Sequence, residues 1–313
     1  MSTSNPAFAG STIRMEILIQ LRHLATHQRF ISAQKTVKTV LTGGATSAFR
    51  GRGIDFEEVR PYQPGDDIRN MDWRVTARTG HPYTKLFREE RERPVLFLVD
   101  LNPSMAFGSR VAFKSVTAAN ATAILAWSAS LNKDRVGGVV LTSQHHQECR
   151  PTTGQRGVLP LLHALCLHQP TTPIGTAGSL AEALARLRRV TRPGSLIFLI
   201  SDFLALDDQA ENHIRQLAQH NDLVTLFIHD SLEANLPVTP ERLNFSNGQQ
   251  NLRLDLSRSL LQSRYSDLFN KRRQYLKTLC QKNRIFFITL ATHDPLPEGI
   301  HLGQAALLGR RKK

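Results

Sequence analysis

The chain has 313 residues, 41% of them hydrophobic, and a formal net charge of +14. That much apolar material excludes a disordered chain, and the length points to two domains or one large α/β domain with an insertion. Three cysteines, Cys149, Cys166 and Cys280, with no C-x-x-C pair exclude a disulfide framework and a cysteine-held zinc site, and suit a reducing compartment.

In chain order, residues 12–30 carry Ile13, Ile17, Leu21 and Leu24 near helical spacing, which predicts a helix. The leading "MSTSNPAFAGSTIRMEILIQLRHL" lacks a charged region followed by an apolar core, and no apolar stretch reaches the roughly 18–20 residues of a membrane span. A soluble, cytoplasmic protein is therefore expected. Residues 41–93 change character, with Gly, Pro and dense charge, and predict short strands and turns. Within them "QPGDD" reads as a turn followed by a cap, with Asp66 or Asp67 as N-cap and Trp73 burying its ring as an anchor.

From Pro94 the pattern is regular. Apolar runs "VLFLVD", "RVGGVVLT", "SLIFLISD", "LVTLFIHD" and "RIFFITL" alternate with helical segments near 112–131, 158–168, 179–190, 208–220 and 258–282. Continuous apolar strands between helices predict a parallel sheet covered on both faces. Asn247-Gly248 between two short extended runs predicts a hairpin. The expected organisation is an N-terminal helix (1–40), a charged β-rich module (41–93), an α/β domain (94–292) and a basic tail (293–313).

Two of the strands end in acids, Asp100 and Asp202. In an open α/β sheet, ligands bind beyond the carboxyl ends of the strands where the strand order reverses. Asp100, Asn102 and Ser104 in "DLNPS", joined by Asp202, would supply hard oxygen ligands suited to Mg²⁺. The same residues also fit a plain turn, in which Asp100 accepts backbone N–H groups and Ser104 caps the next helix. Both readings stand at this point. "GRGIDF" lacks the strand and third glycine of a dinucleotide loop, there is no phosphate-binding G-x-x-x-x-G-K-[ST], and no nucleotide is expected. His145, His146, His163 and His168 read as surface or packing residues. No catalytic constellation is recognised, and no lysine is evident beside the acids.

The stretch "GRGIDFEEVRPYQPGDDIRNMDWRVTARTGHPYTKLFREERERPVLFLVDLNPSMAFG" closely resembles the hallmark of the family catalogued as domain of unknown function 58. That hallmark runs G-x-G-x-[DE]-F, then R-x-Y-x-x-G-D-D-x-R-x-I-D-W, an A-R and an E-x-E-R leading into the first strand. The likeness is dense over about residues 48–110 and looser to about 230. The resemblance implies a von Willebrand factor A-like α/β domain, a mainly parallel sheet flanked by helices with a small β-rich N-terminal module. It implies partnership with MoxR-type AAA+ ATPases and with other von Willebrand A proteins, in assembly or maturation of complexes.

It also implies a variant of the metal-ion-dependent adhesion site, D-x-S-x-S with a later Thr and Asp. Here Asn102 replaces the first Ser, and the Thr position falls on Gly178, with Thr176 the nearest threonine. A non-enzymatic adaptor is the leading reading, with Arg60, Tyr62, Asp66, Asp67, Arg69, Asp72, Trp73 and Arg78 as partner-binding residues. Some of these acids and arginines are expected to pair internally. The alternatives are a Mg²⁺-dependent hydrolase or phosphoryl-transfer enzyme using Asp100 and Asp202 and, more weakly, a nucleic-acid binder. The basic residues are scattered in "LARLRRV", "FNKRRQYLK" and "GRRKK" rather than arranged as a recognition motif.

Overall fold

The structure is a computed structural model that describes residues 10–25, 54–66, 68–89, 92–144, 146–236, 242–246, 251–255 and 259–296. Contacts along the chain define two units, residues 34–92 on the one hand and residues 1–33 with 93–313 on the other.

The N-terminal segment forms two short helices, α1 (Met15–Gln20) and α2 (Arg22–Ala25), broken at Leu21, where one continuous helix was expected over 12–30. Residues 26–30 of that expectation lie outside the described residues. In the smaller unit, β1 (Ile54–Pro61) and β2 (Tyr83–Glu89) pair antiparallel, with α3 (Trp73–Thr79) in the connection between them. The cap of α3 is Asp72, whose carboxylate accepts the N–H groups of Arg74 and Val75. Asp66 instead closes the preceding turn, accepting from Gln63 N–H and pairing with Arg60 at 2.7 Å. This corrects the assignment of the cap to Asp66 or Asp67; Asp67 lies outside the described residues. Gly80 ends α3 at φ 74°, a left-handed position that favours glycine. Trp73 is 65% exposed, not buried as expected.

The larger unit begins with β3 (Pro94–Asp100), followed by α4 (Lys114–Leu131), β4 (Arg135–Leu141), β5 (His146–Thr153) and α5 (Gln155–Leu167). It continues through α6 (Leu180–Val190), β6 (Leu196–Ser201), α7 (Asp208–His220), β7 (Asp222–His229) and the single-turn α8 (Ser231–Ala234). A hairpin of β8 (Arg242–Ser246) and β9 (Asn251–Asp255) precedes α9 (Ser259–Lys282) and β10 (Phe286–Ala291). The hairpin is the one expected around Asn247-Gly248, although those two residues lie outside the described set.

The six-stranded sheet runs β10-β7-β6-β3-β4-β5, parallel except for β5. This is the α/β fold expected, a mainly parallel sheet flanked by helices. The antiparallel edge strand β5 was not anticipated. Its sequence, HQECRPTT, is polar and carries Pro151, which an edge strand tolerates because one side of its backbone lacks a sheet partner.

Strand β3 shows why the sheet is covered twice. Val95, Phe97 and Val99 face one apolar cluster with α4 and α5, whereas Leu96 and Leu98 face a second with α6 and α7. Helix α4 is buried along nearly all its length because the N-terminal helices lie over it. The indole N–H of Trp127 donates to Leu18 O at 2.9 Å, and the Arg22 guanidinium stacks 5.5 Å above that ring. Between β3 and β4 the backbones approach at Gly138, where an added Cβ would lie 2.1 Å from Phe97 O. Replacement of Gly138 by Ala should therefore destabilise the domain by about 3 kcal/mol, read as a lowered urea midpoint with an unchanged m-value.

Candidate functional site

Strand order reverses at β3. The chain leaves it for β4 and β5 on one side, then returns to place β6 on the other. Asp100 is the last residue of β3 and Asp202 follows the last residue of β6, so the two acids meet at the switch point. Each is only 1% exposed.

Every oxygen of Asp100 is engaged. Oδ1 accepts the N–H of Asn102 at 2.9 Å, and Oδ2 accepts the hydroxyl of Ser201 at 2.6 Å. The Ser201 hydroxyl in turn accepts the N–H of Phe203. Asn102 is 1% exposed and clamps the backbone of Gly178 with both ends of its amide. Oδ1 accepts Gly178 N–H at 2.6 Å and Nδ2 donates to Gly178 O at 3.3 Å. Ser104 lies in a 3-10 turn over Pro103–Met105 and does not cap the next helix, whose N-cap is Phe113. Its hydroxyl bonds Asp202 instead. Thr176 is exposed. Four of the five residues expected at a metal site thus surround one spot, with Thr176 outside it.

At the centre is a residue the sequence reading passed over. Lys114, the first residue of α4, is 0% exposed, and its ammonium donates to Asp202 Oδ2 at 2.7 Å and to Glu233 Oε1 at 2.6 Å. The Glu233 side chain also accepts Asp230 N–H at 3.0 Å, completing the capping box of α8. Asp230 extends the network by accepting from Ser109 N–H, from the Ser109 hydroxyl at 2.5 Å and from the Thr292 hydroxyl at 2.6 Å. The signal for Lys114 was present. It is the only charge in an alanine-rich helix and sits in the first turn, where the helix dipole disfavours a cation. Glu233 and Ser201 carry no comparable mark.

Electrostatics follow from this packing. Burial, reinforced by repulsion from Asp202, pushes the Asp100 carboxyl up to about 7, against its bonds from Ser201 and Asn102 and the pull of Lys114. Burial acts on Asp202 in the same direction. There the Lys114 ammonium, with the Leu204 amide and the Ser104 hydroxyl, wins and holds the carboxyl below its ordinary value. Burial alone would lower Lys114, but its two carboxylates more than offset this and hold it above the usual range. The site therefore carries one ammonium paired with two carboxylates, and a third carboxyl raised to about 7.

A divalent cation is what the resemblance implies here, and the residues do not fit one. The ammonium already occupies the space between Asp202 and Glu233, and the amide oxygen of Asn102 is committed to Gly178. Gly178 shows why no threonine stands at that position: a Cβ there would lie 2.0 Å from Thr142 O. Among the described residues no cluster of three or more His, Cys, Asp or Glu side chains could hold a metal. Nor can the lysine grip a phosphate, since it is shut from solvent and bound to two carboxylates. Among the described residues no helix is long and apolar enough to cross a membrane.

The model of the family "Protein of unknown function DUF58" matches residues 58–275. An uncharacterized protein of Mycobacterium tuberculosis is 30% identical over 207 residues, 66% of this chain and 65% of that protein. The matched region thus spans just under two thirds of that relative's length. Among solved structures, a conserved hypothetical protein, BatB, from Bacteroides thetaiotaomicron is 17% identical with a TM-score of 0.43, covering 69% of this chain and 99% of that one. A von Willebrand factor type A protein from Catenulispora acidiphila is 12% identical with a TM-score of 0.33, covering 47% of this chain and 35% of that one. The fold stands on its own strand order and not on these likenesses.

Two outcomes are expected. A group whose folded pKa is raised contributes stability that is full below its unfolded value, near 3.8 for Asp100, and is lost as pH rises through about 7. Asp100→Asn cannot ionise, so its melting temperature should gain on the wild type as pH rises from about 4 to about 7 and hold a constant difference above that; a constant offset throughout would show that Asp100 does not titrate there. Gly178→Thr should lower stability by about 2–3 kcal/mol, as an overpacked contact does, and create no metal response in a thermal melt with Mg²⁺.

Proposed function

This chain belongs to the family of proteins of unknown function DUF58, and on that premise we propose that it is a non-enzymatic adaptor. In this reading it docks a MoxR-type AAA+ ATPase, and with it other von Willebrand A proteins, in the assembly or maturation of protein complexes. The partner class comes from the family resemblance; the surface comes from the molecule. The observation that carries the reading is on the smaller unit. Ile68 and Trp73 are 61% and 65% exposed, within six residues of one another and interleaved with the exposed arginines Arg69, Arg74 and Arg78. Exposed Trp beside Arg is the composition of an interface hot spot, since each combines large contact area with directional hydrogen bonding. Asp66 and Arg60 pair with one another and Asp72 caps α3, so these three shape the surface. Tyr62 is half-buried.

The enzymatic alternative finds less support. A raised carboxyl such as Asp100 is a feature of general bases. Yet Asp100 is 1% exposed and both its oxygens are bonded within the protein, so it presents no atom to a substrate.

The test is co-purification of the tagged chain with a MoxR-type ATPase from the same genome. Trp73→Ala combined with Arg74→Glu and Arg78→Glu should reduce capture by at least about 100-fold, the loss of two hot-spot contacts. The melting temperature should stay within a few degrees. Undiminished capture by this triple variant would remove the proposed surface, and absence of capture by the wild type would remove the partner.

A further inference from the structure

We propose that Lys114 is the resident cation of the sheet's carboxyl edge, a covalently tethered ammonium standing where the family resemblance implies a divalent ion, so that this edge takes up no metal and is held in one fixed arrangement. The inference concerns the edge alone and stands whether or not the docking reading does. Three observations carry it. First, the ammonium is 0% exposed and lies 2.7 Å from Asp202 and 2.6 Å from Glu233, within reach of a cation's role but with nothing left for an ion to displace except the lysine itself. Second, the remaining oxygens are already spent within the protein: Asp100 Oδ1 on Asn102 N–H and Oδ2 on the Ser201 hydroxyl, Asn102 Oδ1 on Gly178 N–H, and Asp202 Oδ1 on Leu204 N–H at 3.1 Å. Third, the lysine does what a bridging ion would do, tying the loop after β3 to those after β6 and β7. From Glu233 the chain of bonds runs on through Asp230 to Ser109 and to Thr292 after β10.

A bound Mg²⁺ keeps exchangeable positions and can be completed by a partner's carboxylate. An ammonium fixed at the start of α4 offers no such position. A variant that removes it leaves Asp202 and Glu233 facing each other around a vacated space, which is a cation site.

The probe is Mn²⁺, followed by the electron paramagnetic resonance signal of the free ion and by thermal melts of the full chain. Wild type should leave the signal undiminished and its melt unmoved by Mn²⁺ or Mg²⁺. Lys114→Ala should melt lower than wild type without metal, remove Mn²⁺ from solution, and rise by about 2 °C or more when millimolar Mn²⁺ is added, as ligand binding to the native state requires. The proposal is overturned by wild-type Mn²⁺ uptake that disappears in Asp202→Asn. It is equally overturned by a folded Lys114→Ala that takes up no more Mn²⁺ than wild type. Should that variant fail to fold, the wild-type titration beside Asp202→Asn decides. None of these readouts involves the ATPase, so loss of docking and loss of this inference are separate results.

Discussion

One ammonium, removed entirely from water, organises the carboxyl edge of the sheet. Taking a lysine and an aspartate out of solvent costs several kcal/mol per ion unless each is paired and hydrogen-bonded. Here Lys114 is answered by Asp202 and Glu233, and Asp202 is further answered by Leu204 N–H and Ser104. Asp100 has no cation bonded to it, and burial, reinforced by repulsion from Asp202, drives it toward its neutral form. The charge state of the edge is thus set inside the molecule.

The same lysine depends on how α4 is packed. A helix buried along sixteen consecutive residues needs cover on both sides, and α1 and α2 supply the outer layer through Leu18 and Trp127. At the other end of α4 its first residue, Lys114, is also shut from solvent and finds its partners in Asp202 and Glu233. The close approach at Gly178 acts alongside. Because Thr142 O stands where a Cβ would project, the loop before α6 can meet Asn102 only through its backbone. An asparagine amide, one donor and one acceptor, fits that backbone better than a serine would. The two departures from the adhesion-site pattern, Asn102 and Gly178, are therefore one feature.

The smaller unit uses its charges differently. Its acids are consumed locally, Asp66 in a turn and in the pair with Arg60, and Asp72 at the start of α3. Ile68 and Trp73, in contrast, present most of their surface to solvent.

Much of the architecture was legible in order along the chain. Helix α7 and the five apolar strands fall close to where periodicity put them, because a strand buried on both faces has no choice but a continuous apolar run. The polar edge strand β5 was not legible, since an edge is half solvated and its residues carry no such constraint. Asp100, Asn102, Ser104 and Asp202 were readable as a group from the acids that end two strands. Sequence could not say what sits among them, because Lys114 lies 88 residues from Asp202 and 119 from Glu233. Likewise Trp73 reads as an anchor in a one-dimensional account, and only the folded structure shows it exposed. Local pattern determined the elements and the family; which charges meet, and which ring faces water, was decided by long-range packing that no local pattern encodes.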